Sequence, residues 1–173
     1  MQESPAEPGT YPPPVYTGPA TTTTAPPSSL AWWAAAMTLL GPILGVVWWL
    51  AAPGGALYGD RSEAETWLLR DLVFAGLQLL AGVVVGWLLT NRLERPGAWE
   101  RVCAAVTGAL LGSLLAVVVG QGLGALFSGG DTEFPFVLRS LGAAVIWPAA
   151  TALVVFLASL LGLLLVRSPH QTE

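Results

Sequence analysis

Residues 91–101 read NRLERPGAWER and lie between two long apolar runs. Three of the seven basic residues of the chain, Arg92, Arg95 and Arg101, fall in this segment, which we call the basic loop. Charged side chains avoid the hydrocarbon core of a bilayer and collect in the loops between spans. The basic loop therefore predicts a turn at a membrane surface with one membrane-spanning helix on either side of it.

The composition of the chain supports a membrane protein. Of its 173 residues, 54% are hydrophobic and only 10% are charged, which leaves too little polar surface for a soluble globule. Seven basic residues stand against eleven acidic ones, so the chain lacks the basic patch that binding to a phosphate backbone requires. Nucleic acid is accordingly excluded as a partner.

The first apolar run covers residues 30–52 and carries no charge, which is enough chain to span a bilayer as a helix. Tryptophan pairs at positions 32–33 and 48–49 indicate the two interfaces. Residues 1–29, before this run, are rich in Pro, Thr and Ser and have few large apolar side chains. Such a composition predicts a disordered arm.

A second helix is predicted at residues 62–90, because Ser62 and Glu65 have the spacing of a capping box. Arg70 and Asp71 enter the membrane with this helix. Arg70 is expected to extend to the interface, whereas a carboxylate as short as that of Asp71 is expected to face the bundle or a wet cavity. Gln78 lies two turns further on, on approximately the same face.

A third helix is predicted at residues 101–127, and small residues recur along it at every fourth position. We call this set the small-residue ridge: Ala104, Gly108, Gly112, Ala116, Gly120 and Gly124. Small side chains let two helix backbones approach closely in a membrane, so this helix is predicted to be the central packing element. Gln121 adds an amide near its far end, either to bond a neighbouring helix or a headgroup or to line a polar cavity.

A fourth helix is predicted at residues 134–167, followed by a short tail at residues 168–173. Trp147 lies inside this span and is expected to pack on the small-residue ridge. The fold class is thus an all-α membrane protein, a four-helix transmembrane bundle spanning residues 30–167. A tight turn through Pro96 and Gly97 predicts that the second and third helices lie side by side, with any polar track at that pair, opposite the basic loop.

Arginine distribution predicts the orientation. The basic loop and Arg167 carry four arginines on one side, against Arg61, Arg70 and Arg139 on the other. Basic residues favour the cytoplasmic side, so both termini are predicted to be cytoplasmic in a plasma (inner) membrane.

No motif for catalysis is present. The chain has no HExxH and no GxSxG, and its glycines have helix-packing spacing instead of a nucleotide-binding pattern. Cys103 and His170 are the single cysteine and the single histidine, too few for a Cys/His metal site within one chain. We therefore predict no catalytic residue, no cofactor and no metal. Cys103 is predicted to be a buried apolar thiol, with acylation as the alternative.

The chain resembles a family of small four-span integral membrane proteins from actinobacteria that is known as a domain of unknown function. The similarity extends over residues 30–166 and is carried by residues 48–53 (WWLAAP), 70–74 (RDLVF) and 112–116 (GSLLA), by Gly120 and Gly124, and by Trp147 with Pro148. One alanine more separates the tryptophans from Pro53 here than in the family, and the arm lies outside the shared region. The resemblance implies a four-span fold in the plasma membrane and transfers no catalytic residue.

Two functions remain open from the sequence. The first is a non-enzymatic accessory or scaffold protein that contacts the lipid bilayer and other membrane proteins, or a second copy of itself, through its helices. The alternative is a small transporter or channel subunit whose polar track is formed by Asp71, Gln78 and Gln121. The two differ in whether these three side chains share a cavity.

Overall fold

The computed structural model describes residues 24–58, 66–127 and 136–166. Within these ranges every regular element is helical, and four helical segments are long and apolar enough to cross a membrane. The predicted all-α fold with four spans is confirmed. The elements, in chain order, are α1 (Pro27–Ala51), α2 (Thr66–Thr90), α3 (Ala98–Phe127), the 3-10 helix Leu141–Val145 and α4 (Ile146–Val166).

Two helices begin earlier than predicted. Helix α1 begins at Pro27 instead of residue 30, since a proline fits the first helical turn, where its missing N–H has no partner to lose. Helix α3 begins at Ala98 instead of residue 101, directly after Gly97, whose φ of 72° ends the preceding turn. The proposed capping box at residues 62–65, the arm up to residue 23, Arg167 and the tail at 168–173 lie outside the described residues.

The fourth span begins later than predicted. Residues 136–140 are not helical, and the chain then forms one 3-10 segment before α4 starts at Ile146. Phe136 and Leu138 are buried while Val137 between them is 41% exposed, the alternation of an extended chain lying on a surface. We call residues 136–140 the extended segment. The prediction of helix over these residues was wrong because the segment packs across the end of the bundle.

Helix α3 packs along α1, and the two run parallel. Ala34 meets Gly108 near one end of the pair, and Gly45 meets Ala116 nearer the other. A Cβ added at Gly108 would lie 2.5 Å from the carbonyl oxygen of Ala34, and one added at Gly45 would lie 2.5 Å from that of Ala116. The two backbones are therefore in direct contact, which small residues on both helices allow.

Helices α2 and α4 form a second parallel pair. Gly82 lies against Trp147 and Ala150, and Gly86 one turn later lies against Val154. The Thr151 hydroxyl donates to the carbonyl oxygen of Gly82 at 3.3 Å across this contact. Four-residue glycine spacing in α2 was a readable signal for this pairing that the sequence analysis did not use.

The prediction that α2 and α3 lie side by side was wrong. Each packs mainly on a helix that is not its neighbour in the chain, α2 on α4 and α3 on α1. The turn at Pro96 and Gly97 joins the two helices without placing them in close contact. Close backbone approach at glycine outweighs chain proximity, because lipid tails give no hydrophobic drive that would favour the nearest helix.

Two tryptophans connect the helix pairs in the core. Trp48 of α1 and Trp147 of α4 are both fully buried. A Cβ on Gly112 would lie 3.0 Å from the Trp147 ring, so the predicted packing of Trp147 on the small-residue ridge is confirmed. Large apolar side chains on the outer faces of all four helices are exposed, as expected where they meet lipid.

Candidate functional site at the Arg70 and Asp71 end of the bundle

The buried charged residues of the described chain lie at the end of the bundle opposite the basic loop. Asp71, near the start of α2, is only 5% exposed. Its carboxylate accepts the backbone N–H of Ser140 at 2.8 Å and that of Arg139 at 3.4 Å. These residues lead into the 3-10 helix, so a negative charge lies beside the N-terminal end of the fourth span, where helix dipoles favour it. Asp71 thus joins the starts of the second and fourth spans.

Arg70 is buried beside Asp71, and its side chain reaches the turn that follows α1. It is 5% exposed, its Nε donates to the carbonyl oxygen of Pro53 at 3.2 Å, and its guanidinium lies 4.6 Å from the ring centroid of Phe136. A desolvated guanidinium over an aromatic face gains a cation–π attraction in addition to its hydrogen bonds. The sequence could not anticipate this, because Pro53 and Phe136 belong to distant segments.

An aromatic cluster surrounds the Arg70 backbone. The Trp48 indole Nε1 donates to the carbonyl oxygen of Arg70 at 3.0 Å. The Trp48 ring lies 4.8 Å from that of Phe74 and 4.7 Å from that of Phe136, measured between centroids. Tilted aromatic pairs at these distances are stabilising beyond the area they bury. Trp48 was predicted as an interfacial tryptophan, and the structure shows that it also links α1, α2 and the extended segment.

A cavity of about 350 Å³ opens beside this cluster. Its polar lining comes from Asp71 and Ser140, which are joined by the hydrogen bond from the Ser140 N–H. Its apolar lining includes Trp67, Leu72 and Ile146. Gln78 and Gln121 are not among its lining residues. Within the described ranges, no group of three or more His, Cys, Asp or Glu side chains is placed to hold a metal ion.

The three residues of the predicted polar track have separate surroundings. Asp71 is bonded to the extended segment, Gln78 is fully buried inside the bundle, and Gln121 is half-buried on α3. The 350 Å³ cavity that Asp71 lines is lined by neither glutamine. A polar track formed by Asp71, Gln78 and Gln121 together stays a prediction.

Gln78 is the most unusual of the three. Neither Nε2 nor Oε1 of its amide has a hydrogen-bond partner within the described part of the chain, and the same is true of the Trp147 indole nitrogen. An unpaired buried amide is costly, and more so in a membrane, where water is scarce. Nη1 of Arg101 is likewise buried without a hydrogen-bond partner in the described ranges. At these three side chains a water molecule or a small polar solute would gain hydrogen bonds.

A third polar contact lies inside the bundle at Ser113. Its hydroxyl donates to the carbonyl oxygen of Ala144 at 2.6 Å, and its side chain is fully buried. In an α-helix this carbonyl would accept from residue 148, but residue 148 is proline and has no N–H. Ser113 on α3 therefore supplies the donor that Pro148 removes from the fourth span.

The small-residue ridge lies mostly in the core. Gly108, Gly112, Ala116, Gly120 and Gly124 are buried, and Ala104 is half-buried. Gly112 meets Met37 of α1, Gly120 meets Trp48, and Gly124 meets Phe136 of the extended segment. In contrast, Ala158 and Gly162 of α4, which have the same spacing, are half-buried and exposed.

The arginines of the basic loop have different environments. The guanidinium of Arg92 lies 5.7 Å from the ring centroid of Trp33, and Arg101 Nε donates to the Ser29 hydroxyl at 3.0 Å. Arg95 is exposed, and nothing in the described ranges is hydrogen-bonded to its side chain or stacked on it. Arg167, the fourth predicted orientation signal, lies outside the described residues.

Cys103 is exposed at the start of α3, so its predicted burial was wrong. Val102 and Ala105, which are three positions apart on one face of the helix, face the core. Position 103 is turned by more than a quarter of a circle from Val102 and so faces the outside of the bundle.

No family model, no curated protein and no solved structure matches this chain. The resemblance to the actinobacterial four-span family consequently stays a prediction.

Proposed function

We propose that this protein is a non-enzymatic accessory or scaffold protein of the plasma membrane that acts through contacts between its helices and those of partner membrane proteins. The proposal rests on the hydrogen bonds that the buried polar groups of the protein form within the bundle. Asp71 bonds backbone N–H groups of the extended segment, and Ser113 bonds the carbonyl oxygen of Ala144. Both groups form hydrogen bonds between segments of the bundle, which supports a structural role for them.

The outer surface of the bundle supports the same proposal. Helices α1 and α2 touch little, and a shallow apolar groove of about 240 Å³ lies between them, lined by Ile43, Leu80 and Val84 among others. A groove between two spans can accept a third helix through van der Waals contact alone. We infer that the partner lies in the same membrane. We also infer that both termini of this chain are on the cytoplasmic side and that the chain belongs to the four-span family that it resembles.

Photo-crosslinking in intact cells tests the proposal. A photoreactive amino acid replaces Ile43, which is 58% exposed in this groove, and as a matched control replaces Leu161, also 58% exposed but on α4 and away from the groove. We expect a discrete adduct with one membrane protein from position 43 and none of the same mass from position 161. Purified protein that carries no adduct at any expression level would contradict the scaffold function.

A second candidate function, a small transporter or channel subunit, is favoured by one observation: the fully buried and unpaired amide of Gln78. A polar group without a partner inside a membrane bundle is a binding site for a solute if the helices open around it. In vesicles that contain the protein, the flux of a solute or ion would then be lost in the variants Gln78→Ala, Asp71→Asn and Gln121→Ala. Unchanged flux in all three variants would eliminate this candidate.

A further inference from the structure

A large apolar groove lies at the basic-loop end of the bundle, between α3 and α4 and away from the groove between α1 and α2. Its volume is about 630 Å³, within the roughly 300–1,000 Å³ of ligand sites. Its walls are the start of α3, with Trp99, Val102 and Cys103, and the middle of α4, with Ala152 and Phe156.

The part of α4 that follows Val155 is little covered by the rest of the bundle. From Phe156 to residue 165, every side chain is exposed except half-buried Ala158. The wall offers little to a polar ligand, since the Ser159 hydroxyl is bonded to the carbonyl oxygen of Val155 at 2.8 Å. An acyl chain, which needs no hydrogen bond, matches such a wall.

One end of the groove has a positive charge that is exposed and can bind an anionic group. Leu93 and Ala98 both line the groove, and Arg95 lies in the turn between them. Arg92 and Arg101 contact Trp33 and Ser29, so Arg95 is the arginine of the basic loop whose guanidinium is exposed without a contact in the described structure.

The two acidic residues of the loop do not cancel this charge. The carboxylate of Glu100 accepts the backbone N–H of Ala25 at 2.7 Å, on the α1 side of the loop. Glu94 is exposed and next to Arg95 in the chain, and the basic loop as a whole, with three arginines and two glutamates, has a net charge of +1. Basic pockets between spans on the cytoplasmic side are typical sites for the headgroups of anionic lipids.

We propose that this groove binds one anionic phospholipid, with an acyl chain between α3 and α4 and the phosphate at Arg95. The site is independent of the accessory function, since it uses neither the groove at Ile43 nor the buried polar groups. Trp99, 74% exposed at the same end, is placed to meet the glycerol and headgroup region as interfacial tryptophans do.

The single cysteine of the chain gives a direct readout, because Cys103 lines the groove and is exposed. The full chain in mild detergent is mixed with palmitoyl-oleoyl phosphatidylglycerol or with phosphatidylcholine of the same chains, and the rate of alkylation by N-ethylmaleimide is measured. We expect phosphatidylglycerol to slow alkylation about fivefold more than phosphatidylcholine. A cysteine at exposed Ala31 of α1, in a Cys103→Ala chain, should show no such difference.

Matched variants distinguish binding of the lipid headgroup from binding of the acyl chain. Arg95→Gln should remove the preference for phosphatidylglycerol, a loss of about fivefold for one arginine near the surface, whereas Arg92→Gln should retain it. Ala152→Phe fills the groove and should abolish protection by either lipid, while Ala149→Phe, exposed on the same helix outside the groove, should not.

Three results would overturn the proposal. They are equal protection by the two lipids, equal effects of the two phenylalanine variants, and protection of Cys103 that depends on protein concentration but not on lipid. The last result would assign the groove to a second copy of the chain. Native mass spectrometry of the same samples keeps the test valid if Ala152→Phe is unstable, because wild type should retain one phosphatidylglycerol and Arg95→Gln none.

Discussion

The carboxylate of Asp71 accepts the backbone N–H of Ser140 at 2.8 Å, although 69 positions separate them in the chain. This bond places a buried charge at the N-terminal end of the fourth span and joins that end to α2. The backbone N–H groups of Arg139 and Ser140, just before the 3-10 helix, both donate to this carboxylate.

Removal of the Asp71 carboxylate should destabilise the bundle. Asp71→Ala leaves a part-buried N–H of Ser140 without an acceptor, so we expect the free energy of unfolding to fall by about 1–3 kcal/mol. Asp71→Asn keeps one acceptor oxygen and should cost less. Thermal unfolding in detergent measures both, with exposed Glu94→Ala as a control that should change little. Equal losses for the alanine variants at positions 71 and 94 would show that the bond does not stabilise the fold.

Close approach of α1 and α3 predicts opposite effects at two glycines of the same helix. Gly112→Ala puts a Cβ 2.5 Å from the carbonyl oxygen of Met37 and should cost about 1–3 kcal/mol of stability through overpacking. Gly122→Ala meets nothing within 4 Å and should be neutral or gain up to about 1 kcal/mol, because alanine is the better helix former. Equal stability of the two variants, measured by unfolding in detergent, would contradict the packing of the small-residue ridge on α1.

Replacement of Gln78 by a residue without an amide should stabilise the protein. Gln78→Met keeps the approximate shape and removes two unpaired polar atoms from the core, so we expect a gain of about 1–3 kcal/mol in the free energy of unfolding. Gln121→Met, at a half-buried position, should change stability by less than about 0.5 kcal/mol. If Gln78→Met instead lowers stability, the amide holds a water or solute in the membrane, as the transporter candidate requires.

Ser113 and Pro148 should be coupled. Ser113→Ala removes the donor to the carbonyl oxygen of Ala144 and should cost about 1–3 kcal/mol. In a Pro148→Ala chain the helix recovers its own N–H for that carbonyl, so the same serine change should cost less. A double-mutant cycle of unfolding free energies measures the difference, and strict additivity would disprove the coupling.

The orientation of the chain predicts which loops react from outside the cell. In a Cys103→Ala chain, Glu94→Cys in the basic loop should react with a membrane-impermeant maleimide only after permeabilisation. Tyr58→Cys, 63% exposed at the other end of the bundle, should react in intact cells. The reverse pattern would place both termini outside.

The sequence by itself determined the number of spans, the all-α fold and the residues that are small enough for close packing. These follow from the length of the apolar runs and from glycine spacing, which are local properties of the chain. Gly108 to Gly124 could be recognised as a packing surface without knowledge of the partner helix.

Only the tertiary structure decided which helices pair and which polar groups meet. Gly41 and Gly45 of α1 pack on the small-residue ridge of α3, and the two helices run parallel. Several helices of the chain carry glycines, and the local sequence does not say which of them pair. The partners of Arg70 and Asp71 lie in an extended segment that apolar composition alone presents as more helix. In a membrane, backbone fit and hydrogen-bond satisfaction select one arrangement, and both depend on residues far apart in the chain.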